Sequence, residues 1–349
     1  MPASSRRPLT AILQVNMLDK TIKIPKDLFF ENTIKFVRSF TSLNEEGKFI
    51  FDFQNTRRID PFSLLYLSSE LDIFKKRKTN SIFFAKHFEH LSYLAHMGFF
   101  KSFGLDFGKE PGEARGSQSY YPIKLIKVQN IKNASYDLMQ EPGEILEAYA
   151  SEISEILSQS KNKTINDVLK YSIREILRNI VEHSQSEDFR ICAQYLPSLG
   201  KVNFAVLDRG IGIKNSLSAN PKVTINNDLD ALEWCVRPGI SGKVYPGQKR
   251  KPKGEWANSG YGLYMTKNIC KLGGSFFISS GDKGIFISEK NKKYFELQTH
   301  GTAVNLTIKI DRLFDFDKML EDFRDNIPKN VFAEPSKSTM SLKSNQNSR

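Results

Sequence analysis

The sequence predicts an α/β (α+β) protein of two domains. Strand and helix patterns alternate over roughly the first hundred residues, as in a small sheet with helices packed on it. A stretch near 105–140, holding Gly104, Gly108, Pro111, Gly112, Gly116 and Pro122, then divides the chain. Beyond it, a long amphipathic helix leads into paired strands and two glycine-rich turns.

In the first half, KFIFDFQ (48–54) places Phe49, Phe51 and Phe53 on one face at period two, the pattern of a half-buried strand. Asp60 and Pro61 then open a helix, with Asp as N-cap and Pro where its missing N–H costs nothing. Leu64, Leu67, Leu71 and Phe74 continue it as one apolar stripe. SIFFA (81–85) predicts a short buried strand. A second helix carries Leu91, Leu94 and Met97 and closes at Gly98. His87, His90 and His96 lie here at spacing unsuited to a metal, and structural roles are expected for them.

On "RRIDPFSLLYL", "SIFFA" and "LAHMGFFKSFGLDFG", residues 45–107 resemble a STAS domain, the module of anti-sigma-factor antagonists. The resemblance implies a protein-binding module. Those antagonists carry a phosphoacceptor Ser directly after the Asp of this turn, whereas this chain has Pro61, with Ser63 two residues on. An unrelated α/β module that binds a partner or packs on the second domain is the alternative.

In the second half, 164–184 reads as one helix with Ile165, Val168, Leu169, Ile173, Ile176, Leu177 and Ile180 as its core stripe. Glu175 and Asn179 stand four apart and share a face, with His183 at its margin. Strands at Phe189–Tyr195 and Val202–Leu207 lead into Asp208-Arg209-Gly210-Ile211-Gly212, a carboxylate at a strand end followed by glycines that permit close approach. Ser259-Gly260-Tyr261-Gly262-Leu263 opens another helix, whose N-terminus offers N–H groups to phosphate. Gly301-Thr302 begins a last strand with Val304, Leu306, Ile308 and Ile310 on one face.

"REILRNIVEHS", "LDRGIGI", "SGYGLYM" and "GTAVNLTI", in this order over about 164–310, resemble the boxes of the GHKL ATPases such as gyrase, MutL and the histidine kinases. The resemblance implies a Bergerat-fold α/β sandwich, a mixed and largely antiparallel sheet covered by helices on one face, that binds ATP with Mg²⁺. It implies Asn179 as Mg²⁺ ligand, Glu175 as general base, Asp208 supported by Thr302 as acceptor for the adenine amine, and Gly212 lining the base. Gly260 and Gly262 offer phosphate contacts, and Gly210, Tyr261 and Leu263 complete the set. Segment 213–259 is the expected lid, with Lys243, Lys249 or Arg250 as candidate γ-phosphate contacts and Arg237 and Ser241 in its more ordered part.

These readings divide the chain into a STAS-like domain (1–107), a linker (108–140), an ATP-binding domain (141–312), and a C-terminal helix with a polar tail (313–349). The histidine-kinase phosphoacceptor hairpin has no counterpart in the single helix expected over 141–160, and the polar tail is no transducer domain. The box "EILRNIVEHS" looks most like the anti-sigma-factor serine kinases. The expected function is an ATP-dependent regulatory switch acting on a protein partner. The alternatives are a serine/threonine kinase for a partner STAS protein and a nucleic-acid-associated ATPase.

The net charge of +12 gives the last alternative its only support, and part of that charge lies in Lys249–Lys253 and the tail. No apolar run is long enough for a membrane span, and the start does not read as a signal peptide. Three scattered cysteines, Cys192, Cys235 and Cys270, predict no disulfide framework and a cytoplasmic setting. A homodimer is left open.

Overall fold

The computed structural model describes residues 18–117, 119–159, 162–242, 260–313 and 315–327. The basic run Lys249–Lys253, the lid residues Lys243, Trp256 and Asn258, Ser259 of the second glycine box, and the tail from Glu334 lie outside them. The protein is mixed α/β, with helices and several sheets.

The first part runs β1 (Leu18–Lys23), β2 (Asp27–Leu28), α1 (Phe30–Thr41), β3 (Gly47–Asp52), β4 (Arg58–Ile59), α2 (Pro61–Arg77), β5 (Ile82–Lys86) and α3 (Ser92–His96). A helix in each crossover lets β1, β3 and β5 run parallel in that order. The Asp60 carboxylate caps α2 by accepting the Ser63 N–H at 2.7 Å, with Pro61 as first helical residue. Ser63 is fully buried and its hydroxyl accepts from Thr33 Oγ1 at 2.8 Å, so it offers no exposed phosphoacceptor. The strand at SIFFA is not buried as expected. It is the sheet's edge, and Ile82 and Phe84 are 50% and 49% exposed.

The stretch expected as a linker is instead structured. It contributes β6 (Tyr120–Lys127) and α4 (Val128–Asp137) to the second part. Pro122 hid the strand in the sequence, yet on an edge strand its missing donor is tolerated, and the pairing is irregular between Tyr121 and Lys124. The chain continues through α5 (Pro142–Ser158), α6 (Lys163–Asn179), β7 (Asp188–Leu196), β8 (Lys201–Asp208), α7 (Gly212–Leu217) and α8 (Asp228–Cys235). After the undescribed segment come α9 (Gly262–Lys271), β9 (Ser275–Ser288), β10 (Lys292–Lys309) and α10 (Phe316–Asp325). The last strand begins at Lys292 rather than Gly301, with register breaks between Glu296 and Thr302.

The five strands order as β6-β7-β8-β10-β9, antiparallel at every described pairing rather than mixed. Both faces are apolar at period two. Ile191, Val206, Leu306 and Ile278 join the core formed with α5, α6 and α9. Their neighbours Cys192, Ala205, Leu207, Ala303 and Phe277 share a second core with α2 and β3. The sheet is therefore covered on both faces, not on one. The Phe30 ring seals the joint, with its centroid 4.5 Å from Phe277, 5.3 Å from Phe286 and 5.4 Å from Phe295.

Candidate functional site

A cavity opens between α6, the end of β8, the middle of β10, α7, and the start of α9. Glu175, Asn179, Asp208, Gly212, Gly260, Gly262, Leu263 and Thr302 all line it, although they come from four separate segments. Ile176, Ile180, Leu217, Ile240 and Ile278 supply apolar walls. A slot of this kind, with a few convergent polar groups, is the usual form of a small-molecule site.

Asp208 ends β8 opposite Thr302 of β10 and is only 2% exposed. Its Oδ1 accepts the Gly210 N–H at 2.8 Å. Burial pushes its carboxyl up to about 6, against the pull of Gly210, Arg209 and Thr302. Because the folded value exceeds the ordinary 3.8, the protonated form favours folding. That contribution is present below the unfolded value and lost as pH rises through about 6. Asp208→Asn is therefore expected to stabilise the protein at pH 8 by roughly 3 kcal/mol, with the gain vanishing near pH 4. Urea denaturation at the two pH values measures this.

Gly210 is a steric necessity, since a Cβ there would lie 1.9 Å from the Ser184 carbonyl oxygen. One on Gly262 would lie 2.3 Å from Glu175 Oε2, a side-chain end, and 3.2 Å from the Glu175 Cβ. Gly210 thus positions Asp208 without lining the cavity, and Gly262 sets the start of α9 directly on Glu175. Tyr261 is not among the lining residues either. It is 1% exposed and belongs to the core.

Glu175 is buried beside Arg174, whose Nη2 and Nε donate to its Oε1 at 3.0 and 3.3 Å. Arg174 Nη1 donates to Glu147 Oε2 at 3.0 Å, and Lys170 Nζ stands 2.6 Å from Glu147 Oε1. Burial works against the charge on Glu147, but Arg174 and Lys170 hold its carboxyl below the usual range. Asn179 closes the regular part of α6, and residues Ile180–Ser184 continue it as a π-type turn, a distortion common at functional sites. His183 and Arg178 also face the cavity.

The pattern of the sequence did not reveal Ser280, and of the wall from Ile240 to Gly242 it singled out only Ser241. Ser280 Oγ accepts the Ile213 N–H at 2.9 Å and donates to the Gly301 carbonyl at 2.8 Å, tying the first glycine turn to the last. A lone serine in a strand carries no local signal for this. The described part of the expected lid is built, not open. Asp228 Oδ2 of α8 accepts the Asp282 N–H at 3.1 Å, Glu233 takes the Tyr294 hydroxyl at 2.8 Å, and Arg237 lies 4.2 Å over the Trp234 ring. Ser241 is buried, and its carbonyl accepts from Asn220 Nδ2 at 2.8 Å.

The three histidines of the first part go separate ways: His87 to Asp52, His90 to the Thr56 carbonyl, and His96 to the Tyr120 hydroxyl. Among the described residues no three His, Cys, Asp or Glu side chains gather as a metal site. No described helix is long and apolar enough to cross a membrane. No protein-family model matches the chain, and no curated protein matches its sequence.

Proposed function

We propose that this chain is a GHKL-type regulatory protein that binds ATP with Mg²⁺ in a Bergerat-type pocket and acts as an ATP-dependent switch on a protein partner. What supports it is one observation: residues picked from four distant boxes line a single cavity. In this reading the Asp208 carboxylate accepts from the exocyclic amine of adenine, and Thr302 stands beside it across the β8–β10 pairing. The apolar walls hold the ring. The N–H groups at the start of α9 face the phosphates. The donor set fits Mg²⁺ in its usual form. Asn179 offers a hard carbonyl oxygen, and a cation carried on phosphates needs no dedicated protein cage. The ion supplies charge neutralisation between the phosphates.

The kinase alternative turns on Glu175, whose Oε1 accepts twice from Arg174, leaving Oε2 as the oxygen a base would use. The STAS-like reading of the first part gives that domain a regulatory role built into the chain, since α2 is packed on the sheet. The nucleic-acid alternative rests on charge alone.

Calorimetry with Mg²⁺–ATP tests the site. Asn179→Ala is expected to weaken affinity by at least about tenfold, a loss of roughly 1.4 kcal/mol, while affinity for ATP without Mg²⁺ changes little. Unchanged Mg²⁺–ATP affinity would remove the assignment. Transfer of labelled phosphate to a STAS partner, abolished by Glu175→Ala, would replace the switch with the kinase.

A further inference from the structure

Arg209 follows Asp208 in the chain but points away from the cavity, toward the layer formed by α2. Its Nη2 donates to Glu70 Oε1 at 3.0 Å and to the Ser69 hydroxyl, both on α2 and both buried. Its Nη1 donates to the His300 carbonyl at 3.0 Å, one residue before Gly301 and two before Thr302. A Cβ on Gly301 would lie 2.2 Å from the Asp208 carbonyl oxygen and 2.7 Å from Arg209 Cα, so the two chain segments touch at this point. One guanidinium thus ties α2 to the end of β8 and to the stretch of β10 that carry the polar groups of the base pocket.

We propose that Glu70 is a positioning residue for the nucleotide site, acting through Arg209 to fix the joint at which Asp208 and Thr302 meet, so that the N-terminal layer sets recognition of an aminopurine. This rests on the nucleotide reading given above. The burial of Glu70 makes the ion pair costly to break, because Glu70 left alone would be a buried charge without its counter-charge, whereas Arg209 keeps 24% of its side chain exposed.

On the cavity side the charged and titratable groups are Glu175, Arg178 and His183. On the other side Glu70 feels Arg209, Arg77 and His300, and Tyr66 feels both members of the pair. Arg209 also shares a cleft with Asp72, Lys76, Glu187, Asp188 and Arg190. Since Arg209 lies next to Asp208, each member of the pair sends the titration of Asp208 in a different direction. Removing the Glu70 charge leaves the guanidinium uncompensated and makes Asp208 more acidic. Removing the Arg209 charge makes it less acidic.

The test uses the full chain with Glu70→Gln, Arg209→Gln and the double variant. Two readouts are taken between pH 5 and 8. One is affinity for Mg²⁺–ATP against Mg²⁺–ITP, which lacks the amine. The other is the ¹³C carboxyl resonance of Asp208 without nucleotide, identified by its loss in Asp208→Asn.

The expected result is a midpoint lowered by about half a pH unit or more in Glu70→Gln, raised in Arg209→Gln and near the parent in the double variant. The preference for ATP over ITP is expected to fall several-fold in all three. Midpoints that stay at the parent value overturn the proposal, as does an unchanged preference. If Glu70→Gln does not fold, Arg209→Lys decides. It keeps the charge and loses the fork, so an unchanged midpoint with a reduced ATP preference supports positioning, and an unchanged preference overturns it. Failure of the parent to bind ATP sinks the nucleotide reading instead, and the resonance readout separates the two failures.

Discussion

Gly301→Ala is expected to destabilise the protein by about 4 kcal/mol or more and, on the nucleotide reading proposed above, to remove Mg²⁺–ATP affinity with it. Three effects compete. Replacing Gly by Ala reduces the freedom of the unfolded chain and on its own favours folding by up to about 1 kcal/mol. Against this, Gly301 has φ +88°, a conformation that costs an L-residue about 1–2 kcal/mol. The decisive effect is contact. The new Cβ would lie 2.2 Å from the Asp208 carbonyl oxygen and 2.8 Å from its carbon, and these are backbone atoms that cannot rotate aside.

Relief requires β8 and β10 to separate where Thr302 pairs with Asp208. Gly200 is the control, with φ +56° and open space around its Cβ direction. Gly200→Ala is expected to cost about 1 kcal/mol and to leave binding intact. Urea denaturation of the two variants compares strain alone with strain plus collision. Equal losses would show that the clash at Gly301 is absorbed.

What could be read from the sequence was what local chemistry decides. Asp60 with Pro61 announces a helix start whatever lies around it, and the structure places the cap there. Phe49, Phe51 and Phe53 announce a buried face at period two, and all three are buried. The boxes around Glu175, Asp208, Gly262 and Thr302 were found because glycine and carboxylate are informative at turns and strand ends, and these residues line one cavity.

What escaped was decided by the neighbours in space. Tyr261 sits between two glycines of a box, yet its ring joins the core, because the first turn of a helix can face either way. Strand β6 was lost among Gly116, Pro122 and their polar neighbours, since an edge strand tolerates residues that would break a central one. Coverage of the second sheet face was foreshadowed only by Cys192, Ala205 and Leu207 being apolar on both sides of an alternating pattern. That signal reads as easily as a hydrophobic strand of no particular placement.

Arg174 escaped for a related reason, and its removal is the second large effect. The residue lies inside the stripe of α6, where an arginine reads as solvated surface, but it is fully buried. Burial opposes its charge, and Glu175 and Glu147 outweigh that cost. Arg174→Met is expected to destabilise the protein by about 3–5 kcal/mol, because Glu175 keeps a buried charge after its counter-charge has gone. Lys170 still serves Glu147, so most of the loss falls on Glu175.

The cause is separable from lost packing, since methionine retains much of the side-chain length. In the double variant Arg174→Met with Glu175→Gln, no unpaired Glu175 charge remains, and about 2 kcal/mol of the loss is expected to return. Denaturant unfolding of the four proteins gives the cycle. A double variant as unstable as the sum of the singles would assign the loss to packing. Recovery would show that Arg174 holds a charged Glu175 against the start of α9, where a Cβ on Gly262 would press on its carboxylate. On the nucleotide reading, an ion pair that holds Glu175 through Oε1 leaves Oε2 to meet what enters the cavity.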